Sequence, residues 1–232
     1  MFGFRKKKKH HKAVNVPMFA NNIICKGNND IQIAENQNIE IFLEGENNQI
    51  VIAPRAGDIS GKICICVYGD NNRITIGENN IFEGLFMIVG QNHFNHGKCN
   101  NSVVTFGNNN AFGSFEVDVF NSHSTLSVGN DCMFSKGIIL YHTDGHPVLD
   151  AESGKILNSV REMKIGNHCW VGRNVTILKN TKLADDTIVG FGAVVSSSFA
   201  ESHTAIAGNP AKVVKKGITW AQRADGYIES EL

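Results

Sequence analysis

The chain has 232 residues and a formal net charge of zero at neutral pH, so no global field recruits nucleic acid or an anionic surface. Its six cysteines include no CxxC pair, which argues against a zinc site of that kind. No stretch approaches the roughly 20 apolar residues that span a bilayer.

The N-terminus is a basic tail, Arg5 to Lys9 followed by His10, His11 and Lys12, assigned to residues 1–19. It reads as a solvated end. A sharper reading is peripheral contact with an anionic membrane or polymer, each basic residue adding about 1 kcal/mol near an anionic leaflet. No apolar run of seven or more residues follows it, so no secretory signal is expected. The expected setting is cytoplasmic, with contact to the inner membrane through the tail. Cys25, Cys64, Cys66, Cys99, Cys132 and Cys169 are then reduced thiols. Cys132 and Cys169 hold the same place in GNDC and GNHC, as stacked core residues would.

From about residue 20 a unit recurs: an aliphatic, any residue, an aliphatic, Gly, two polar residues and an apolar pair. It reads ITIGENNIF (74–82), VTFGNNNAF (104–112), LSVGNDCMF (126–134) and MKIGNHCWV (163–171), with earlier echoes at Gly27 and Gly45. Gly27 and Gly45 lie 18 residues apart, one coil of three hexads, whereas later spacings of 30, 22 and 37 require bulges at corners. Asn and Gly suit such corners because both tolerate left-handed backbone angles. Stacked Asn side chains are expected to share amide hydrogen bonds between coils.

The longest interruption, 141–164, is polar and contains Gly145, Pro147 and Gly154. A loop on a rigid scaffold is a usual place for function, and this one carries His142, Asp144 and His146. A histidine there can titrate near neutral pH and serve as a general base. Asp144 is either a partner for an imidazole or a turn former before Gly145.

After the loop the pattern becomes strict. Ile165, Val171, Ile177, Leu183, Val189 and Val195 are spaced six apart. A helix would scatter them around its surface, and a plain strand would not single out every sixth residue. A coil of triangular cross-section, one hexad per side, turns each aliphatic inward onto the one three hexads later. That is an all-β parallel β-helix, assigned to 20–211. Residues 212–232 are expected to cap it, with a short helix around Ile218 to Ala224.

The hexads, the loop YHTDGHPVLD, then HCWVGRNVTILKNTKL, VGFGAVV and IAGNPAKVVKK together resemble the hexapeptide-repeat acyltransferases, and within them the bacterial O-acetyltransferases of capsular and surface polysaccharides. The resemblance is specific over about 126–218. It implies a left-handed parallel β-helix, a homotrimer, and acetyl-CoA as co-substrate in the cleft between subunits, with no metal. Its catalytic base corresponds to His146, and Trp170 to the tryptophan of the acceptor and thioester pocket. Coil positions whose backbone holds the pantetheine arm correspond to Gly172, Arg173, Gly190 and Phe191, with Ser196 nearby. Lys212 and Lys215 correspond to the nucleotide end, where they would pair with phosphates. Phe191-Gly192-Ala193 departs from the family's usual Ala-Gly-Ser, and Asn180 and Ala184 replace glycines. The implied reaction is direct transfer of acetyl to a saccharide hydroxyl.

Two other classes fit the residues less well. A γ-type carbonic anhydrase needs three histidines on zinc; His93, His96, His123 and His168 are available but lack that family's spacing. A non-enzymatic scaffold or carbohydrate-binding module would suit the Asn-rich first half, but leaves the His146 loop and GNPAKVVKK without purpose.

Overall fold

The computed structural model describes residues 22–35, 37–57, 60–90 and 97–222. The basic tail, with its expected membrane contact, lies outside them. The described chain winds into parallel coils whose strands form two sheets, one of thirteen strands and one of seven. The large sheet makes two sides of a triangular prism. Its first face holds the strands Met133–Phe134, Trp170–Val171 and Ile188–Val189. Its second face holds Ile138–His142, Thr176–Leu178 and Val194–Val195. The seven-stranded sheet is the third face, with Thr125–Val128, Glu162–Ile165 and Lys182–Leu183. Earlier in the chain one nine-residue strand, Ala111–Val119, serves the first two faces without a break.

The six-residue period translates directly into the register. Ile165 stacks on Leu183, Val171 on Val189 and Ile177 on Val195, each three hexads on, and all six are at most 3% exposed. The column on the second face extends back through Leu140, Val117, Met87, Ile65 and Ile41. On the first face the interior turns aromatic. The Phe82 and Phe112 rings stack at 4.8 Å, and Phe112 and Phe134 lie 4.9 Å apart. Such contacts add to area burial.

The corners are built as their composition implies. Asn47, Asn71, Asn101 and His123 hold left-handed backbone at one corner; Asn79, Asn109, Asp131, His168, Asp186 and His203 do so at another. Inside the turns a buried amide ladder runs between coils: Asn48 Nδ2 donates to Asn29 Oδ1 at 2.9 Å and Asn72 Nδ2 to Asn48 Oδ1 at 3.0 Å. Each ladder step satisfies a polar group that burial would otherwise penalise. Cys132 and Cys169 are buried and stacked, the Cys169 amide donating to Cys132 Sγ at 3.4 Å.

Two expectations are corrected. The strands run to His142 and resume at Glu162, so the inserted segment is 143–161, shorter than 141–164. The cap is not helical over its described part. Ala211–Lys216 is a strand antiparallel to Thr204–Gly208, and Gly217–Gln222 contains no helix. The reason is the exposed edge of the last coil, whose backbone groups need partners. Val213 and Val214, β-branched, suit the strand that supplies them. Residues 223 and 224 of the expected helix lie outside the described residues.

Candidate active site

The inserted segment leaves the corner between the second and third faces. His146 sits on it, exposed, at a cavity of about 500 Å³ lined also by Phe120, Asn121, Thr143, Pro147, Ile156 and Asn158. A residue outside the sequence reading fixes this loop. Asn158 donates through Nδ2 to Asp144 Oδ2 at 2.6 Å and to the His146 carbonyl at 2.8 Å, and its Oδ1 accepts the Val148 amide at 2.7 Å. Lys179 closes the clasp with an ion pair to Asp144 at 2.7 Å. Asp144 therefore ties the loop to the next coil as well as to Asn158. Nothing in the spacing of Asn158 or Lys179 marks them, because the loop alone brings them within reach.

His142, four residues before His146, faces the other way. It follows Val119 in an interior column and is fully buried. Burial lowers its pKa to about 4, against a smaller opposing effect of the Arg161 and Thr125 backbone. It is thus a neutral core residue at pH 7, on the strand that precedes the loop and not on the loop that carries His146.

Trp170 points outward from the first face, 37% exposed, between Met133 and Ile188 in register. It does not line the His146 cavity. Its neighbour is Trp220, with ring centroids 6.2 Å apart. Trp220 is itself pinned: it stacks on His168 at 4.7 Å and donates Nε1–H to the His168 carbonyl at 2.8 Å. His168 Nδ1 lies 2.7 Å from Asp186 Oδ1. The returning C-terminal segment is in this way fastened beside Trp170.

The corner between the first and second faces collects most of the residues assigned to the coenzyme. Gly172 and Gly190 stack along it. A Cβ on Gly172 would lie 2.8 Å from the Val189 carbonyl oxygen, and one on Gly190 would lie 2.9 Å from Ala207 Cβ, so both positions require glycine. Arg173 and Phe191 project from the corner, Phe191 being 72% exposed. Their amides donate to no acceptor among the described residues. Lys212 pairs with Ala207 in the terminal hairpin, at the end of the same column, and Lys215 follows on it. Ser196 is not brought to this corner: it follows Val195 on the far side of the second face.

Among the described residues no group of three His, Cys, Asp or Glu side chains is placed to hold a metal. His123 and His168 occupy left-handed corners, and His93 and His96 lie outside the described residues.

Residues 162–197 match the model of the bacterial transferase hexapeptide family, six repeats. A polysialic acid O-acetyltransferase of Neisseria meningitidis is 30% identical over 184 residues, covering 79% of this chain and 80% of the relative. A second, from Escherichia coli O1:K1, is 32% identical over 130 residues, and the match spans 42% of that relative's length. The fold of a solved polySia-specific acetyltransferase superposes with a TM-score of 0.71 at 26% identity, over 90% of this chain and 92% of that one. The family match and this superposition agree with the parallel coil of hexapeptide repeats that the resemblance implies.

Proposed function

This chain belongs to the hexapeptide-repeat O-acetyltransferases, and on that premise we propose that it moves the acetyl group of acetyl-CoA to a hydroxyl of a capsular polysaccharide, with His146 as general base. The observation that carries the reading is the likeness, over four-fifths of a relative's length, to a polysialic acid O-acetyltransferase. The exposed His146 on a clasped loop and the amides of Arg173 and Phe191, which have no acceptor among the described residues, give it chemical means.

In this mechanism neutral His146 takes the proton of the acceptor hydroxyl as its oxygen attacks the thioester carbonyl. The tetrahedral oxyanion collapses, and the imidazolium returns the proton to the departing thiolate of CoA. Both substrates are held together, so positioning contributes alongside proton transfer. The thioester arm would lie along the Gly172–Gly190 corner on the amides of Arg173 and Phe191, its phosphates near Lys212 and Lys215. The reading carries a cytoplasmic setting, where acetyl-CoA is available.

One chain separates the parts. His146 stands at one corner of the second face, and Arg173, next to Trp170, at the other. The second face between them is mainly apolar for a surface, with Phe86 41% exposed and Ile88, Ile139, Leu178 and Val194 half-buried, and the carboxylates Glu116 and Asp118 stand in the same rows. Three prisms that turn this face to a common axis bring the His146 corner of one copy against the Arg173 corner of the next. That arrangement closes as a ring. It also covers Val148, Leu149, Ile156 and Leu157, four aliphatic residues more than half exposed beside His146 in the single chain. A homotrimer with its reaction site between copies is the assembly we infer.

The acceptor is tested by thiol release from acetyl-CoA over a panel of bacterial polysaccharides. Acceptor-dependent release with sialic acid polymers supports the reading. Acetyl-CoA binding with release on no acceptor, or no binding at all, contradicts it and favours a carbohydrate-binding scaffold.

A further inference from the structure

We propose that Arg173 binds the carboxylate of an acidic saccharide acceptor, in a groove running from Trp170 towards the N-terminal coils; the proposal rests on the acetyl-transfer reading. The groove encloses about 400 Å³. Its apolar side is Ile81, Ala111 and Met133, which continue in register to Trp170. Its polar side holds Ser135, Lys136, Glu83 and Arg173.

The charges in this groove are not balanced. Lys136 Nζ lies 2.6 Å from Glu83 Oε2, so those two neutralise each other. Arg173 has no ion-pair partner among the described residues and is exposed. An uncompensated guanidinium beside an apolar wall is matched to a ligand that carries one anionic group per apolar ring face. A carboxylate offers the planar two-oxygen geometry that the guanidinium fork takes up bidentately. The carbon-bearing face of a pyranose ring would lie on Met133 and Ala111. A neutral sugar would leave the charge unanswered.

Direction along the prism separates this role from the coenzyme. The corner glycines lead C-terminally from Gly172 to Gly190 and Ala207, ending at the hairpin with Lys212 and Lys215. The groove leads the opposite way, through coils that contain Met133, Ala111 and Ile81. Arg173 stands at the junction, its amide available to the thioester arm and its side chain to the acceptor.

The test is calorimetric binding of a sialic acid oligomer, its neutral methyl ester and acetyl-CoA to the parent chain, Arg173→Gln and Arg173→Lys. Arg173→Gln is expected to weaken the acidic oligomer about ten- to a hundredfold, the range of a charge-assisted hydrogen bond. The ester and acetyl-CoA should bind all three chains alike, and Arg173→Lys should recover part of the loss. Weakened acetyl-CoA with unchanged oligomer binding would overturn the proposal and assign the side chain to the coenzyme. Equal loss of acid and ester would also overturn it. A parent chain that binds acetyl-CoA and neither saccharide refutes the carboxylate site alone. A parent chain that does not bind acetyl-CoA refutes the acetyl-transfer reading, and the oligomer result then still decides the role of Arg173.

Discussion

His146→Gln is expected to lower the turnover of acetyl transfer by about 10²–10⁴-fold, the contribution of a positioned general base. Glutamine keeps the approximate length and polarity of the side chain but cannot accept and return a proton. The loop around it is held by contacts that the substitution does not touch: the His146 carbonyl, not its ring, receives Asn158, and Asp144 receives Lys179. Acetyl-CoA affinity should therefore change by less than about twofold, so the loss falls on kcat. His142→Gln is a poor control, because that ring fills the core and its replacement acts through stability. A single-turnover assay with saturating acetyl-CoA measures the effect. A loss below about tenfold would assign proton transfer elsewhere.

The second large effect concerns stability. Gly69 has φ of +140°, and a Cβ there would lie 1.9 Å from the Cys99 carbonyl oxygen, with no side chain able to move aside. The same column contains Gly27 and Gly45, each facing the backbone of the next coil at 2.1 and 1.9 Å. The Gly69 carbonyl also accepts the buried Asn48 amide at 2.8 Å, so a displaced turn would break the amide ladder. Gly69→Ala is expected to cost about 3–5 kcal/mol, at the upper end of single-residue effects, and to lower the melting midpoint by roughly 10 °C or more for a chain of this size. Each coil packs only on its neighbours, so protection from hydrogen exchange should fall first in the flanking coils. Gly154→Ala, in a loop where nothing lies within 4 Å of the added Cβ, is the comparison: its φ of +67° strains any side chain, but no neighbour is struck. Equal losses for the two would contradict the stacking argument.

How much of this was legible depends on how the signal is carried. The stacked columns were legible because every inward position must be apolar, so Ile165 to Val195 repeat in register with the coil. The unequal spacings of Gly77, Gly107, Gly129 and Gly166 also read correctly. Those four glycines do stack, each facing the backbone of the next, and the extra residues lie in longer strands and loops. His146 was singled out by the resemblance of its loop, and the structure sets it, exposed, at a cavity.

The missed elements are those specified by one residue and a distant partner. Trp220 meets His168 across 52 positions, and a lone tryptophan has no period. The terminal hairpin answers an open sheet edge, a requirement of the assembled fold and not of the local sequence, which read as helix. Asn158 reaches Asp144 and His146 only because the loop returns. His142 resembles a site residue by neighbourhood, and its burial appears only once the strand is seen to continue. Left-handed histidines at 123, 168 and 203 replace the usual Asn without a compositional cue.

The claim on which the rest depends is that one reaction site takes His146 from one copy and the Trp170 face from the next. It is tested most directly by co-expressing His146→Ala and Trp170→Ala chains under different tags, isolating mixed assemblies, and measuring acetyl transfer. Each variant alone should be strongly impaired. In a mixed ring of three, one of the three sites has a chain keeping His146 before one keeping Trp170, so about a third of parental activity should return. Mixed assemblies no more active than either variant alone would contradict the shared site and place both residues in the service of a single chain.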